Sequence, residues 1–153
     1  STDCLEGAQD NSNPFSFTVQ ATVIPSCEIT AKPTDINLNN IAASAINTRG
    51  STSIGVTCTN TAPYTIGLSP SNGNENGKGD MTSTNPNSDV IPYQLQSIAG
   101  TAWGNTATAE SVGNGVAGEG NGTTKVHTVY VAVPSADVKP GHYSDIVTIS
   151  VNY

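Results

Sequence analysis

Across residues 15–23 apolar side chains occupy every second position: Phe15, Phe17, Val19, Ala21 and Val23, with Ser16, Thr18, Gln20 and Thr22 between them. A period of two sets the apolar group on one face of a β-strand, and nine residues at about 3.3 Å each span roughly 30 Å. Such a face needs burial, in its own domain or in another molecule. Pro25 then interrupts pairing ahead of a second strand over 27–31, and Ile36 to Leu38 forms a short third candidate. Residues 51–59 alternate Ile54, Val56 and Cys58 against Ser53, Gly55 and Thr57, while 64–68 alternate Tyr64, Ile66 and Leu68. This pair is expected to form a hairpin through residues 60–63.

The run 69–89 is rich in Asn, Gly and Ser and carries Pro70 and Pro86, the pattern of a long exposed loop. Residues 90–98 restore a strand with Tyr93 and Leu95, and Trp103 follows a short turn. A glycine-rich loop is expected over 113–122. Residues 123–134 then read as a long strand, with Val126, Thr128, Tyr130 and Ala132 on one face and His127, Val129, Val131 and Val133 on the other. Its apolar content predicts cover on both sides. After the Pro140-Gly141 turn, residues 143–153 alternate Val147, Ile149, Val151 and Tyr153 against Thr148, Ser150 and Asn152. No helical segment of ten or more residues stands out. Seven or so strands with turns between them predict an all-β, immunoglobulin-like antiparallel β-sandwich.

The 153 residues suit one domain, large enough to bury a core. A net charge of −7 with five scattered Lys and Arg gives no surface for phosphates, so nucleic acid and anionic membrane are poor partners. No stretch approaches 18 apolar residues, and Ser1 opens without the regions of a signal peptide, which reads as an already processed product or a chain cut to begin there.

The three cysteines, Cys4, Cys27 and Cys58, match no CxxC metal or redox spacing. Cys27 and Cys58 sit on neighbouring strands, where a bridge is geometrically reasonable. It would stabilise by about 3–4 kcal/mol in the chain-entropy picture and implies an oxidising compartment. Cys4, in a polar tail, is then either a free thiol or an intermolecular bridge.

A chain ending inside an apolar strand, with a detachable strand at its other terminus, has room for one more strand and a candidate to fill it. The order and spacing of several pieces resemble the spore coat protein U domain family, which includes the subunits of archaic chaperone–usher pili. The pieces are Ala21-Thr22-Val23 leading to Cys27 and Cys58, the run from Pro63 through Tyr64 and Ile66 to Leu68, Tyr93-Gln94-Leu95 with Trp103-Gly104, Val129-Tyr130 with Val133-Pro134, and the Pro140-Gly141-His142-Tyr143 ending. The resemblance implies a sandwich that lacks its final strand and is completed by donor-strand complementation. It implies an N-terminal extension over 1–24, with donor strand 15–23, and a pilin domain over 25–153. It further implies a periplasmic chaperone that first fills the groove along Val147, Ile149, Val151 and Tyr153. An outer-membrane usher then exchanges it for Phe15, Phe17, Val19, Ala21 and Val23 of the next copy. The product would be an extracellular pilus, reached through the periplasm, that supports surface attachment and biofilm formation. The 14 residues ahead of Phe15, with Cys4, are longer than a donor segment needs: they either bridge neighbouring subunits through a Cys4 thiol or stay loose. Lys78-Gly79-Asp80 precedes Met81 where the family often has an arginine pair.

Other chemistry is weaker. Residues 113–118 fit GxGxxG, yet no apolar strand leads in and glycines follow where a helix should begin. Residues 72–83 carry Asn72, Asn74, Asn76 and Gly77 in an EF-hand-like order but Ser83 in place of the final Glu. His142, Ser144 and Asp145 invite a hydrolase triad without a strained nucleophile turn. Trp103, Tyr64, Tyr93 and Tyr130 suit a sugar-binding shelf less well than packing. No enzyme activity, cofactor or metal is expected. The competing reading is a self-complemented, secreted, lectin-like binding module.

Overall fold

The computed structural model describes residues 13–83, 87–98 and 100–153. Ten strands account for its regular structure: β1 (Cys27–Ala31), β2 (Ile46–Cys58), β3 (Pro63–Pro70), β4 (Lys78–Ser83), β5 (Val90–Ile98), β6 (Thr101–Ala102), β7 (Val116–Glu119), β8 (Thr124–Ser135), β9 (Tyr143–Ser144) and β10 (Val147–Asn152). The pairings among these strands are antiparallel. One sheet runs β1-β2-β8-β5-β4-β9 with β6 beside β5, and the other runs β10-β3-β7. The result is an all-β sandwich.

Inward positions of both sheets supply the core: Ile54, Val56 and Cys58 from β2, Tyr64, Ile66 and Leu68 from β3, Leu95 from β5, and Val129, Val131 and Val133 from β8. Trp103 is buried among them and satisfies its indole N–H on the Ile66 carbonyl oxygen at 2.9 Å. Cys27 and Cys58 are directly paired and joined by a disulfide across β1 and β2.

Pairing of Cys27 with Cys58, Thr57 with Thr124, and Thr65 with Asn152 gathers the start of β1 and the end of β10 at one end. Pairing of Ile46 with Ser135, and of Pro70 with Val147, defines the other. We call these the Cys27 end and the Ile46 end.

Several expectations need correction. β2 and β3 do not form a hairpin. The turn over 59–62, with Thr61 at φ 64°, carries the chain from one sheet to the other. The glycine-rich and Asn-rich loops each contain a strand, β7 and β4, because small residues there admit an aromatic ring: a Cβ on Gly79 would lie 2.2 Å from the Tyr93 ring, and one on Gly118 2.2 Å from the Tyr64 ring. Such contacts leave no alternation of large apolar residues to read. β8 is covered on one face only, since Val126 and Tyr130 remain exposed. Residues 143–153 divide into β9, on the larger sheet, and β10, on the smaller. Ile36 and Leu38 lie in no strand; they rest over Gly50, where a Cβ would fall 2.6 Å from Ile36 Cγ2 and 2.8 Å from Leu38 Cδ2.

Candidate functional site

Which edges of the two sheets face each other follows from two contacts and the strand order. Tyr64 of β3 and His127 of β8 lie 2.6 Å apart through Oη and Nε2, so β3 covers β8. Val116 of β7 lines a cleft with Ser97 and Ile98 of β5, so β7 leans over β5. By sheet order, β10 therefore lies over the β1 and β2 side. Among the described residues β10 pairs with β3 alone and β1 with β2 alone, so each presents a free edge on that side.

Between the two edges the apolar lining is half-covered. Val147, Ile149 and Val151 of β10, Ile29 of β1, and Ile36, Leu38 and Ile41 of the segment after β1 all pack on the core while staying partly exposed. Elsewhere the equivalent positions are closed over: Ile54, Val56, Ile66 and Leu68 are at most 1% exposed. These half-covered apolar side chains lie beside two sheet edges, a combination suited to an added strand. Tyr153 stands 53% exposed at the Cys27 end.

The alternating segment 15–23 joins no sheet of its own chain. Phe15 is 94% exposed, Phe17 89%, Val19 86% and Val23 82%, and Ala21 is exposed as well. Cys4 lies outside the described residues. Sequence reasoning read the alternation of β10 but did not bring Ile29, Ile36, Leu38 and Ile41 together as half-covered apolar residues. The signal was Gly50, set in a strand interior where a side chain must be absent for Ile36 and Leu38 to approach.

The remaining candidates are not assembled. Asp145 accepts from the Ser71 and Tyr93 hydroxyls, Tyr93 at 2.5 Å, which ties it to β5 and the end of β3. Ser144 is paired with Thr82 in the sheet. Asn72 Oδ1 accepts the Asn74 N–H at 2.9 Å, and Asn74 Oδ1 accepts those of Asn76 and Lys78 at 2.8 and 3.2 Å, so these oxygens cap their own turn. Residues 116–119 are strand β7 where a dinucleotide fold would start a helix. Of the four aromatics, Tyr64, Tyr93 and Trp103 are buried and Tyr130 stands on the outer face. The cleft beside Tyr64 and His127, about 460 Å³, is lined also by Ile98, Val126 and Tyr130. There burial lowers the His127 pKa, helped by nearby Lys125, and burial raises that of Tyr64.

The model of the spore coat protein U domain matches residues 13–150. The chain belongs to the spore coat protein U domain family. Its domain is accordingly structural and not enzymatic. Comparison with curated proteins yields no match. Among solved structures, this spore coat protein U domain resembles a chain in the CsuC–CsuE chaperone–tip adhesion subunit pre-assembly complex from archaic chaperone–usher Csu pili of Acinetobacter baumannii. Identity is 21% and the TM-score 0.56, over 86% of this chain and 41% of that one. A chaperone–tip adhesin complex of CFA/I fimbriae biogenesis is similar at 15% identity and TM-score 0.51, over 84% and 41%. The domain thus spans less than half the length of either structural relative, and the likeness is one of fold.

Proposed function

We propose that this domain is a structural subunit of an extracellular chaperone–usher pilus and polymerises by donating residues 15–23 to the groove of another copy. One observation carries the reading: a single chain holds half-covered apolar side chains beside the β10 and β1 edges and an exposed segment of alternating apolar residues. Phe17, Val19 and Val23 would each gain about 1.5–3 kcal/mol on full burial, and backbone hydrogen bonds along the β10 rim would remove an edge prone to aggregation.

Chain geometry favours donation between copies. An immunoglobulin-type sandwich closes with its last strand antiparallel to the one before. β10 runs toward the Cys27 end, and segment 15–23 is tethered to Cys27 by three residues, Ile24, Pro25 and Ser26. Folding back into its own groove, the segment would have to run toward Cys27 and hence parallel to β10. Another copy's segment has no such tether and can enter antiparallel.

Before assembly a periplasmic chaperone would occupy the same groove along Val147, Ile149, Val151 and Tyr153, and an outer-membrane usher would host the exchange. The extension 1–24 and the pilin domain 25–153 are then separate working parts, and the fibre supports surface attachment and biofilm formation. Replacing Phe17 and Val19 together by Asp tests this. The expected result is a chaperone-bound, soluble domain that yields no heat-sensitive, detergent-resistant ladder of multimers. Normal fibre yield from the double variant would refute the assignment.

A further inference from the structure

Ile24 does not belong to the alternation before it. Odd positions from 15 to 23 share one face, so Ile24 falls on the other, and it is 71% exposed. Only Pro25 and Ser26 separate it from Cys27, the first residue of β1. Two further isoleucines are comparably bare: Ile46 at 71% and Ile146 at 77%. Outside 15–23 these three are the most exposed of the large apolar side chains among the described residues. Ile46 pairs with Ser135, and Ile146 directly precedes Val147, the partner of Pro70, so both sit at the Ile46 end.

The register of an added strand connects Ile24 with Ile146, while Ile46 lies at the same end on the other sheet. Val147, Ile149 and Val151 face the core. An antiparallel neighbour must set its odd residues opposite these to face the same way. Val23 opposite Val147 gives Ala21 opposite Ile149, Val19 opposite Val151 and Phe17 opposite Tyr153. Ile24 then lies opposite Ile146. Sliding by two residues sets Val23 against Asp145, which is already held by Ser71 and Tyr93, and still leaves Ile24 diagonal to Ile146. Three residues reach about 10 Å at most, so the body that begins at Cys27 must abut the Ile46 end of the copy it enters.

We propose that Ile46 and Ile146 form an apolar seat for Ile24 of the neighbouring copy, holding consecutive bodies at a defined angle. This rests on the donor-strand reading. The occupant is a second copy, because the short tether brings nothing else to that end. Ile24 and the seat are covered together on assembly, which explains why a short linker carries an isoleucine on its off-groove face.

The test is disulfide trapping in the chain with Cys4→Ser, expressed with its chaperone and usher. Ile24→Cys combined with Ile146→Cys should give covalently linked multimers when assembled fibres are oxidised, boiled and run without reductant. Ile24→Cys with Ile98→Cys, the latter at the Cys27 end, should give none. A companion variant, Ile46→Ser with Ile146→Ser, should still assemble but show a wider spread of angles between successive bodies in electron micrographs. Fibres that assemble without the Ile24–Ile146 link, that link Ile24 to Ile98, or that keep their angle in the double-Ser variant overturn the seat alone. Absence of fibres from the unsubstituted chain would overturn the donor-strand reading and the seat with it.

Discussion

The Tyr93 hydroxyl donates to Oδ2 of Asp145 at 2.5 Å, tying β5 of the larger sheet to the turn that launches β10. Burial pushes the Asp145 carboxyl up, but hydrogen bonds from Ser71, from Tyr93 and from the backbone of Ile146 and Ser71 outweigh it and hold the pKa below the ordinary 3.8. Burial, with the carboxylate beside it, drives the Tyr93 phenol far above its usual range. A depressed carboxylate contributes stability that is complete above its unfolded pKa and is lost as pH falls through the folded one.

The melting temperature should therefore hold above about pH 5 and drop once the pH passes below the ordinary carboxylate range. Asp145→Asn should lose about 1–2 kcal/mol at neutral pH and show a shallower acid dependence, as measured by thermal melts across pH. An unchanged acid profile in that variant would place the titration elsewhere.

Gly50 makes room for Ile36 and Leu38, which line the proposed groove. In Gly50→Ala the new methyl must displace Ile36 and Leu38, at a cost of about 1–3 kcal/mol. Denaturant unfolding gives the loss. Chaperone binding should weaken with it, because the displaced residues line the groove.

Replacing both Cys27 and Cys58 by Ser should destabilise the domain by about 2–4 kcal/mol, since the bridge closes a loop across 31 positions. Non-reducing peptide mapping of the unsubstituted protein should recover Cys27 joined to Cys58.

A charge in the groove should act differently from one on the outer face. Ile149→Asp should abolish capture by the chaperone and by the donor segment, because the carboxylate would be buried without a partner. Val126→Asp, at a position 67% exposed, should leave stability within about 0.5 kcal/mol and assembly intact. Co-purification with chaperone and fibre yield read out both.

The fold class was legible because most core residues fall at period two: Ile54, Val56 and Cys58, then Tyr64, Ile66 and Leu68, then Val129, Val131 and Val133. The strands that escaped, β4 and β7, have inward positions filled by Gly79 and Gly118, with the apolar volume supplied by Tyr93 and Tyr64 from neighbouring strands. That information is non-local. The same holds for the groove: β10 announces itself by alternation, whereas Ile36, Leu38 and Ile41 come from an irregular segment placed by Gly50. The hairpin over 60–63 failed because a four-residue turn serves equally to change sheets, and only the positive φ of Thr61 marks the difference.

Electron cryo-microscopy of assembled fibres tests the central claim most directly. The account predicts that each groove between β1 and β10 contains residues 17–23 of an adjacent copy, antiparallel to β10, with Val19 buried beside Val151. A groove filled by the same chain's own segment, leaving discrete monomers, would contradict it.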